Sequence, residues 1–230
     1  MSYLSTDDQK RNAAAVAVEY VQNKMLVGLG SGSTAEHALR FLSERIKQGL
    51  RITGVPSSLA TAKLARRLKI PLVTDEAAFK KIDVTIDGAD EVDAQFNLIK
   101  GGGGALTREK IVASRSDRVI IIVDENKLVP QLGKFPLPVE VLPFGWQSTA
   151  ALLKALGARV ALREKEGKPF RTDNGNFILD CKFRSIADPA TLAAQIKALT
   201  GVVEVGLFIG LADLIIVGKK DGSVVEQWAA

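Results

Sequence analysis

Four side chains able to do proton chemistry lie around a run of four glycines between Asp87 and Lys110, DGADEVDAQFNLIKGGGGALTREK. Asp87, Asp90 and Glu109 offer carboxylates, Lys100 offers a cation, and Gly101, Gly102, Gly103 and Gly104 bring backbone amides with no side chains around them. A turn needs one or two glycines, so four in a row make room for a ligand. Near them stand neither a nucleophilic Ser or Cys pair nor a metal cage. The set suits proton transfer beside a carbonyl: a carboxylate removes the carbon-bound proton while a lysine and amides stabilise the enediolate oxygen.

A second candidate is GLGSGST, Gly28 to Thr34, placed between an apolar run and a helical pattern. Amides at a helix start point outward and favour an anion. Ser31, Ser33 and Thr34 add hydroxyls, and Gly32 keeps the backbone accessible. Gly30, Gly32 and Ala35 also satisfy the dinucleotide pattern G-x-G-x-x-G/A, which requires an acid for the ribose near the end of the next strand. That strand ends VPSS. A lone phosphate fits the turn better than a dinucleotide does.

These residues must be held by elements that the sequence marks well. Thr6 to Gln9 has the spacing of a capping box, followed by an Ala/Val-rich helix to about Val21. MLVGLG, RITGVP, PLVTD, VTIDGAD and VIIIVDE read as strands. Ala35, Ala38, Leu39, Leu42 and Ile46 recur at helical spacing up to Gly49, and LATAKLARRL reads as a further helix. Continuous apolar strands alternating with helices predict a parallel sheet covered on both faces. Asp87 ends one such strand, the end at which open α/β sheets bind ligands. Gly88 allows a sharp turn there, so that Asp90 can face the same crevice. Pro136, Pro138 and Pro143 mark a boundary, and the helix and strand patterns beyond it suit a small α+β unit. The expected organisation is an α/β fold, with a Rossmann-like parallel-sheet domain over 1–133 and 205–230 and a smaller α+β domain over 134–204.

Composition narrows the classes. The 230 residues are 47% hydrophobic and 25% charged, as in ordinary globular proteins. No apolar run is long enough to span a bilayer, and the opening MSYLSTDDQKRNAAA lacks a secretion signal's apolar core. Cys181, the single cysteine, forbids an internal disulfide and fits a reducing, cytoplasmic setting. His37 is the only histidine, which argues against an imidazole metal centre and reads better as a helix-surface residue. The net charge of +5 comes from scattered Lys and Arg with no aromatic interleaving, so an anionic metabolite explains it better than nucleic acid.

Taken together, GLGSGSTAEHAL, VPSS, DGADEVD, LIKGGGGALTREKIVA, LGKFPLPVEVLP, TDNGNFILD and GVVEVGLF make the chain resemble the ribose-5-phosphate isomerase family of the A type. The matching stretches run in family order over nearly the whole length. The resemblance implies interconversion of ribose 5-phosphate and ribulose 5-phosphate in the pentose phosphate pathway, without metal or cofactor. It implies that Glu109 shuttles the proton between C1 and C2, with Asp87, Asp90 and Lys100 assisting ring opening and stabilising charge. It further implies substrate contacts from Ser31, Gly32, Ser33, Thr34, Gly88, Ala89, Gly101, Gly102, Gly103 and Lys127, and from Lys10 toward the phosphate. The implied assembly is a homodimer, sometimes a tetramer, and the only implied ligand is the phosphosugar. A sugar-phosphate sensor of related fold would need the loop but not Glu109, and a CoA transferase-like enzyme would turn a glutamate on an acyl group. An isomerase assay tests the isomerase against both of these and against a dinucleotide-binding module.

Overall fold

The computed structural model describes residues 3–75, 79 and 81–229. In chain order the first elements are α1 (Thr6–Ala17), β1 (Leu26–Leu29), α2 (Ser33–Lys47), β2 (Thr53–Pro56), α3 (Leu59–Arg67) and β3 (Val84–Asp87). Then come β4 (Glu91–Val92), β5 (Leu98–Ile99), α4 (Leu106–Ser114), β6 (Val119–Asp124), β7 (Leu137–Val141) and α5 (Trp146–Ala155). Next follow β8 (Arg159–Leu162), β9 (Glu164–Lys165), β10 (Lys168–Pro169), β11 (Phe177–Lys182) and α6 (Pro189–Lys197). The last are β12 (Val202–Val205), β13 (Leu207–Phe208), β14 (Leu214–Gly218) and β15 (Val224–Trp228).

The chain divides into two compact units, one of Met1–Ala89, Arg108–Lys127 and Leu211–Ala230, the other of Asp90–Thr107 and Leu128–Gly210. The first unit holds a six-stranded sheet in the order β15-β14-β6-β3-β1-β2. All its pairings are parallel except that of β14 with β15. Val27, Leu29, Val84, Ile86, Ile120, Ile122, Leu214 and Ile216 alternate along four strands and share a core with Ala13, Ala14 and Ala17 of α1 and Ala38, Leu39 and Leu42 of α2. Ile121, Val123, Ile215 and Val217 between them are buried too, so this sheet is covered on both faces. That is the α/β class expected from the continuous apolar runs.

The second unit has an antiparallel sheet in the order β12-β7-β11-β8, a three-stranded one in the order β13-β5-β4, and the short β10-β9 ribbon. Its core gathers Leu137, Val139 and Val141 of β7, Leu179 and Cys181 of β11, Leu153 of α5 and Ile196 of α6.

Several local expectations are corrected. The capping box is Ser5 to Asp8: Asp8 N–H donates to Ser5 Oγ at 3.1 Å, and Ser5 N–H and Oγ donate to the Asp8 carboxylate. Gln9 is buried instead and donates to the Leu4 carbonyl. α1 ends at Ala17 and closes in a 3-10 turn over Val18–Tyr20, short of Val21. Pro71–Asp75 forms no strand, only a single bridge from Leu72 to Gly54. The segment of Pro136, Pro138 and Pro143, expected to mark a boundary, lies inside the second unit, where Leu137–Val141 is a full strand. The unit boundaries also differ from those expected at 134 and 204. Asp90–Thr107 joins the second unit because β5 pairs with β4 and with β13, and of the final stretch only Leu211 onward belongs to the first.

Candidate active site

In the first unit β1 has β2 on one side and β3 on the other, so successive crossovers leave it in opposite directions. Ligands of open α/β sheets sit beyond the strand ends at such a switch point. There the chain after β1 and the end of β3 are tied together. Gly30 N–H donates to the Ile86 carbonyl at 3.0 Å, and Ser31 N–H donates to Asp87 Oδ1 at 3.0 Å. The same oxygen accepts Gly88 N–H at 2.8 Å. Gly30 is required by this approach: a Cβ on it would lie 2.3 Å from Asp87 Oδ1 and 2.6 Å from the Asp87 Cα. Asp87 is buried, 3% exposed, at the last position of β3.

The turn then opens α2. Gly32 is its N-cap at φ 88°, with no side-chain cap among the described residues, so the first amides of the helix face outward. Gly32 and Ser33 are exposed, and Ser31 and Thr34 are half-buried. Thr34 lies beside Gly88, where an added Cβ would meet its Cβ at 3.5 Å. Lys10, on α1, donates from Nζ to Ser33 Oγ at 3.2 Å. The helix start thus carries outward amides, two hydroxyls and an ammonium, an arrangement that attracts a phosphate. No carboxylate follows β2, where Ser57 and Ser58 stand, so a dinucleotide ribose lacks its usual acceptor.

Glu109 sits in the first turn of α4 and is 6% exposed. Lys127 ends the 3-10 turn Glu125–Lys127 that follows β6, the neighbour of β3. Asp124 shapes that turn by accepting from the Asn126 amide and side chain at 3.1 and 3.0 Å. Ala89 is half-buried and is the last residue of this stretch of the first unit.

The second unit holds the other expected residues. Asp90 N–H donates to the Ile99 carbonyl at 2.8 Å, and Asp90 Oδ2 accepts Gly102 N–H at 2.7 Å. Lys100 is buried, 4% exposed, with its amide on the Gly206 carbonyl at 2.9 Å and its ammonium 5.5 Å from the centroid of the Phe208 ring. A cation over an aromatic face at this range is stabilised by the ring quadrupole. The glycine run has separate reasons along its length. Gly101 and Gly104 adopt φ of 101° and 86°, and a Cβ on Gly102 would stand 2.6 Å from Asp90 Oδ1. Nothing lies within 4 Å of a Cβ on Gly103, which is exposed.

Two supports went unseen in the sequence. Arg163 donates to the carbonyls of Gly101 and Gly102 at 2.8 and 3.0 Å while pairing through Nε and NH2 with the Asp180 carboxylate. It braces the glycine run from 61 residues away, and no local signal marks it. Around Ser31 stand Ser57, Ser58 and Thr61, whose hydroxyls contact its own at 2.9, 2.9 and 3.1 Å. The hydroxyls closing VPSS were the available signal. Thus Lys10, Ser31, Gly32, Ser33, Thr34, Asp87 and Gly88 come together in the first unit, while Asp90, Lys100, Gly101, Gly102 and Gly103 come together in the second. Among the described residues no group of three or more His, Cys, Asp or Glu side chains is arranged to hold a metal ion.

An α/β sheet with an acid and an anion-ready helix start at its switch point makes this the candidate small-molecule site of the first unit. The family model for ribose 5-phosphate isomerase A (phosphoriboisomerase A) matches residues 53–222. The chain is 56% identical to ribose-5-phosphate isomerase A of Sphingopyxis alaskensis, over 93% of each chain. It is also 56% identical to that of Chloroflexus aurantiacus, over 96% of this chain and 94% of the relative. Among solved structures it superposes on the ribose 5-phosphate isomerase of Plasmodium falciparum with a TM-score of 0.93 at 41% identity, covering 96% and 98%. A D-ribose-5-phosphate isomerase in complex with phospho-erythronic acid gives 0.94 at 40% identity, covering 98% of this chain and all of the other. The chain belongs to the ribose-5-phosphate isomerase A family.

Proposed function

We propose that the protein interconverts ribose 5-phosphate and ribulose 5-phosphate through an enediolate, in the non-oxidative pentose phosphate pathway. The observation that carries this reading is the tie between Asp87 and Ser31, which sets an acid from the DGAD segment directly against an anion-ready helix start. The phosphate is held by the amides opening α2, the hydroxyls of Ser33 and Thr34, and the ammonium of Lys10. Gly88, Ala89 and Lys127 contribute further contacts to the sugar.

Glu109 takes the proton from C2 of the open-chain aldose, and the electron pair moves into the C1–C2 bond. The enediolate oxygens are stabilised by Lys100 and by amides of Gly101, Gly102 and Gly103, and Asp87 and Asp90 move protons during ring opening. Glu109 then returns its proton to C1 while the proton of the C2 hydroxyl passes to O1, so that O2 becomes the ketone oxygen and O1 the new hydroxyl. C2 is oxidised and C1 reduced within one molecule, so the scheme requires no redox cofactor, and Lys100 with the glycine amides takes the charge-stabilising part that a metal could otherwise play. The relative's ligand agrees in chemistry, since a phosphorylated sugar acid carries a phosphate at one end and paired carboxylate oxygens, like an enediolate, at the other.

We further propose a homodimer in the cytoplasm, on the strength of the family resemblance; light scattering at twice 24.7 kDa is the check on assembly. Among the described residues no helix is long and apolar enough to cross a membrane. The function is tested by incubating the protein with ribose 5-phosphate and a strong chelator under a ketose-specific readout. Ketose should form at the same rate with and without chelator, and no ketose in either would reject the reading.

A further inference from the structure

Four hydroxyls of the first unit form one connected cluster at the turn that opens α2: Ser31 reaches those of Ser57, Ser58 and Thr61, and Ser58 also reaches Thr61. Three of their owners are buried: Ser57 is 1% exposed, Thr61 5% and Ser58 6%. Each hydroxyl has a single proton to give, and that count fixes the direction of every bond. Thr61 Oγ1 lies 2.9 Å from the Gly30 carbonyl, which only accepts, so the Thr61 proton goes there. Ser58 Oγ, 2.9 Å from Thr61 Oγ1, must then donate to it. Ser31 Oγ, 2.9 Å from Ser58 Oγ, must donate in turn, while Ser58 also accepts the Thr61 amide at 3.0 Å. Ser57 is left to donate to Ser31. The 3.1 Å approach of Ser31 to Thr61 has no proton to fill it.

The chain of donation therefore runs Ser57 to Ser31 to Ser58 to Thr61 to the carbonyl of Gly30, all of it inward. Ser31 has spent its hydroxyl proton on Ser58 and its amide proton on Asp87. An anion's oxygens accept only, so Ser31 has no proton to offer them. We infer that Ser31, Ser57, Ser58 and Thr61 are positioning residues which lock the Gly30–Ser31 turn, and that the phosphate takes its hydrogen bonds from the Gly32–Thr34 segment and Lys10 instead. The inference deepens the proposed phosphate site and rests on it. It reassigns Ser31 from substrate contact to scaffold and brings in three residues that do not touch the ligand.

The test is a double-mutant cycle of Ser31→Ala with Thr61→Val, with Thr61→Ser as the conservative control and Ser58→Ala as a second entry to the same chain. Each folded variant is assayed for kcat and KM with ribose 5-phosphate, and for the shift of its unfolding temperature by inorganic phosphate. Thr61→Val should raise KM about tenfold, the scale of one lost hydrogen bond, with kcat nearly unchanged and the phosphate shift reduced. Ser58→Ala should do the same, and Thr61→Ser should restore the wild-type values. Adding Ser31→Ala to Thr61→Val should cost little more than either alone, because both break one chain. Additive losses would mean that Ser31 binds the phosphate itself, and an unchanged KM in folded Thr61→Val and Ser58→Ala would show that the chain positions nothing; either overturns the inference. If the wild type turned over no ribose 5-phosphate the isomerase reading would fall, while the phosphate-induced shift would still decide this one.

Discussion

The Ser31 amide donates to Asp87 Oδ1 at 3.0 Å, joining two residues 56 positions apart at the ends of adjacent parallel strands. The bond makes the acid and the anion loop a single piece, which gives Asp87 a scaffolding role beside the chemical one proposed for it. Asp87→Asn keeps an oxygen that can accept from Ser31, whereas Asp87→Ala keeps none. Asp87→Asn should therefore lower kcat with little change in KM. Asp87→Ala should raise KM as well, by the roughly 1.5–3 kcal/mol of a hydrogen bond to a charged group. Steady-state kinetics on both variants decides the point, and equal KM values in the two would refute the scaffolding role.

Gly30 is where the two strand ends come closest. A methyl group there would press on the Asp87 side chain and its Cα at 2.3 and 2.6 Å. Gly30→Ala should cost about 1–3 kcal/mol of stability, the usual range for overpacking, and should lose activity with it. Denaturant unfolding measures this directly; a variant as stable and active as the wild type would show that the strands can part.

The helix start should discriminate by charge. Ser33→Ala with Thr34→Ala removes two hydroxyl donors to a phosphate dianion, each worth roughly 1.5–3 kcal/mol. Turnover of ribose 5-phosphate should fall steeply, while that of unphosphorylated ribose should lose little. Equal losses on the two sugars would make the turn a structural element only.

Cys181 gives a prediction in pH. It is fully buried on β11, and burial pushes its thiol from an ordinary value of 9.0 up to about 12. Thiolate is the reactive form, so at neutral pH a thiol reagent should label Cys181 only as fast as the unit opens. In the unfolded chain the thiol ionises near its ordinary value. Above that value the unfolded state binds fewer protons than the folded one, so stability falls as pH rises from about 9 toward 12. Unfolding midpoints across that range should fall more steeply for the wild type than for Cys181→Ala. Rapid labelling of the folded protein at neutral pH would contradict the burial.

Much of the first unit was legible because its strands are extreme. VIIIVD is buried at all six positions, a pattern that only a doubly covered sheet needs. Asp87 and the SGST turn were legible for a related reason, since acids and glycines interrupt those apolar runs where strands end. The second unit was harder to read. Glu91–Val92 and Leu98–Ile99 are two-residue strands, too short to show a period, and they draw Asp90–Thr107 into that unit. Pro138 made a central strand look like a boundary. It pairs opposite Asp180 all the same, and its carbonyl accepts the Gly206 amide at 2.8 Å. Contacts such as Arg163 on Gly101 join residues whose types say nothing about each other, so only the folded backbone reveals them.

In the proposed reaction Glu109 carries a proton between two carbons, a step that hydrogen exchange with solvent reads out. A positioned general base is typically worth about 10²–10⁴-fold, and Glu109→Gln keeps the shape while removing the basicity. The measurement is proton NMR of ribose 5-phosphate incubated in deuterated water with wild type and with Glu109→Gln, alongside their unfolding temperatures. The wild type should place deuterium at C1 or C2 as ketose forms. The variant, folded and as stable as the wild type, should barely do so and should turn over more slowly by at least that factor. Deuterium uptake and turnover at wild-type rates in Glu109→Gln would rule Glu109 out as the base and move that role to Asp87 or Asp90.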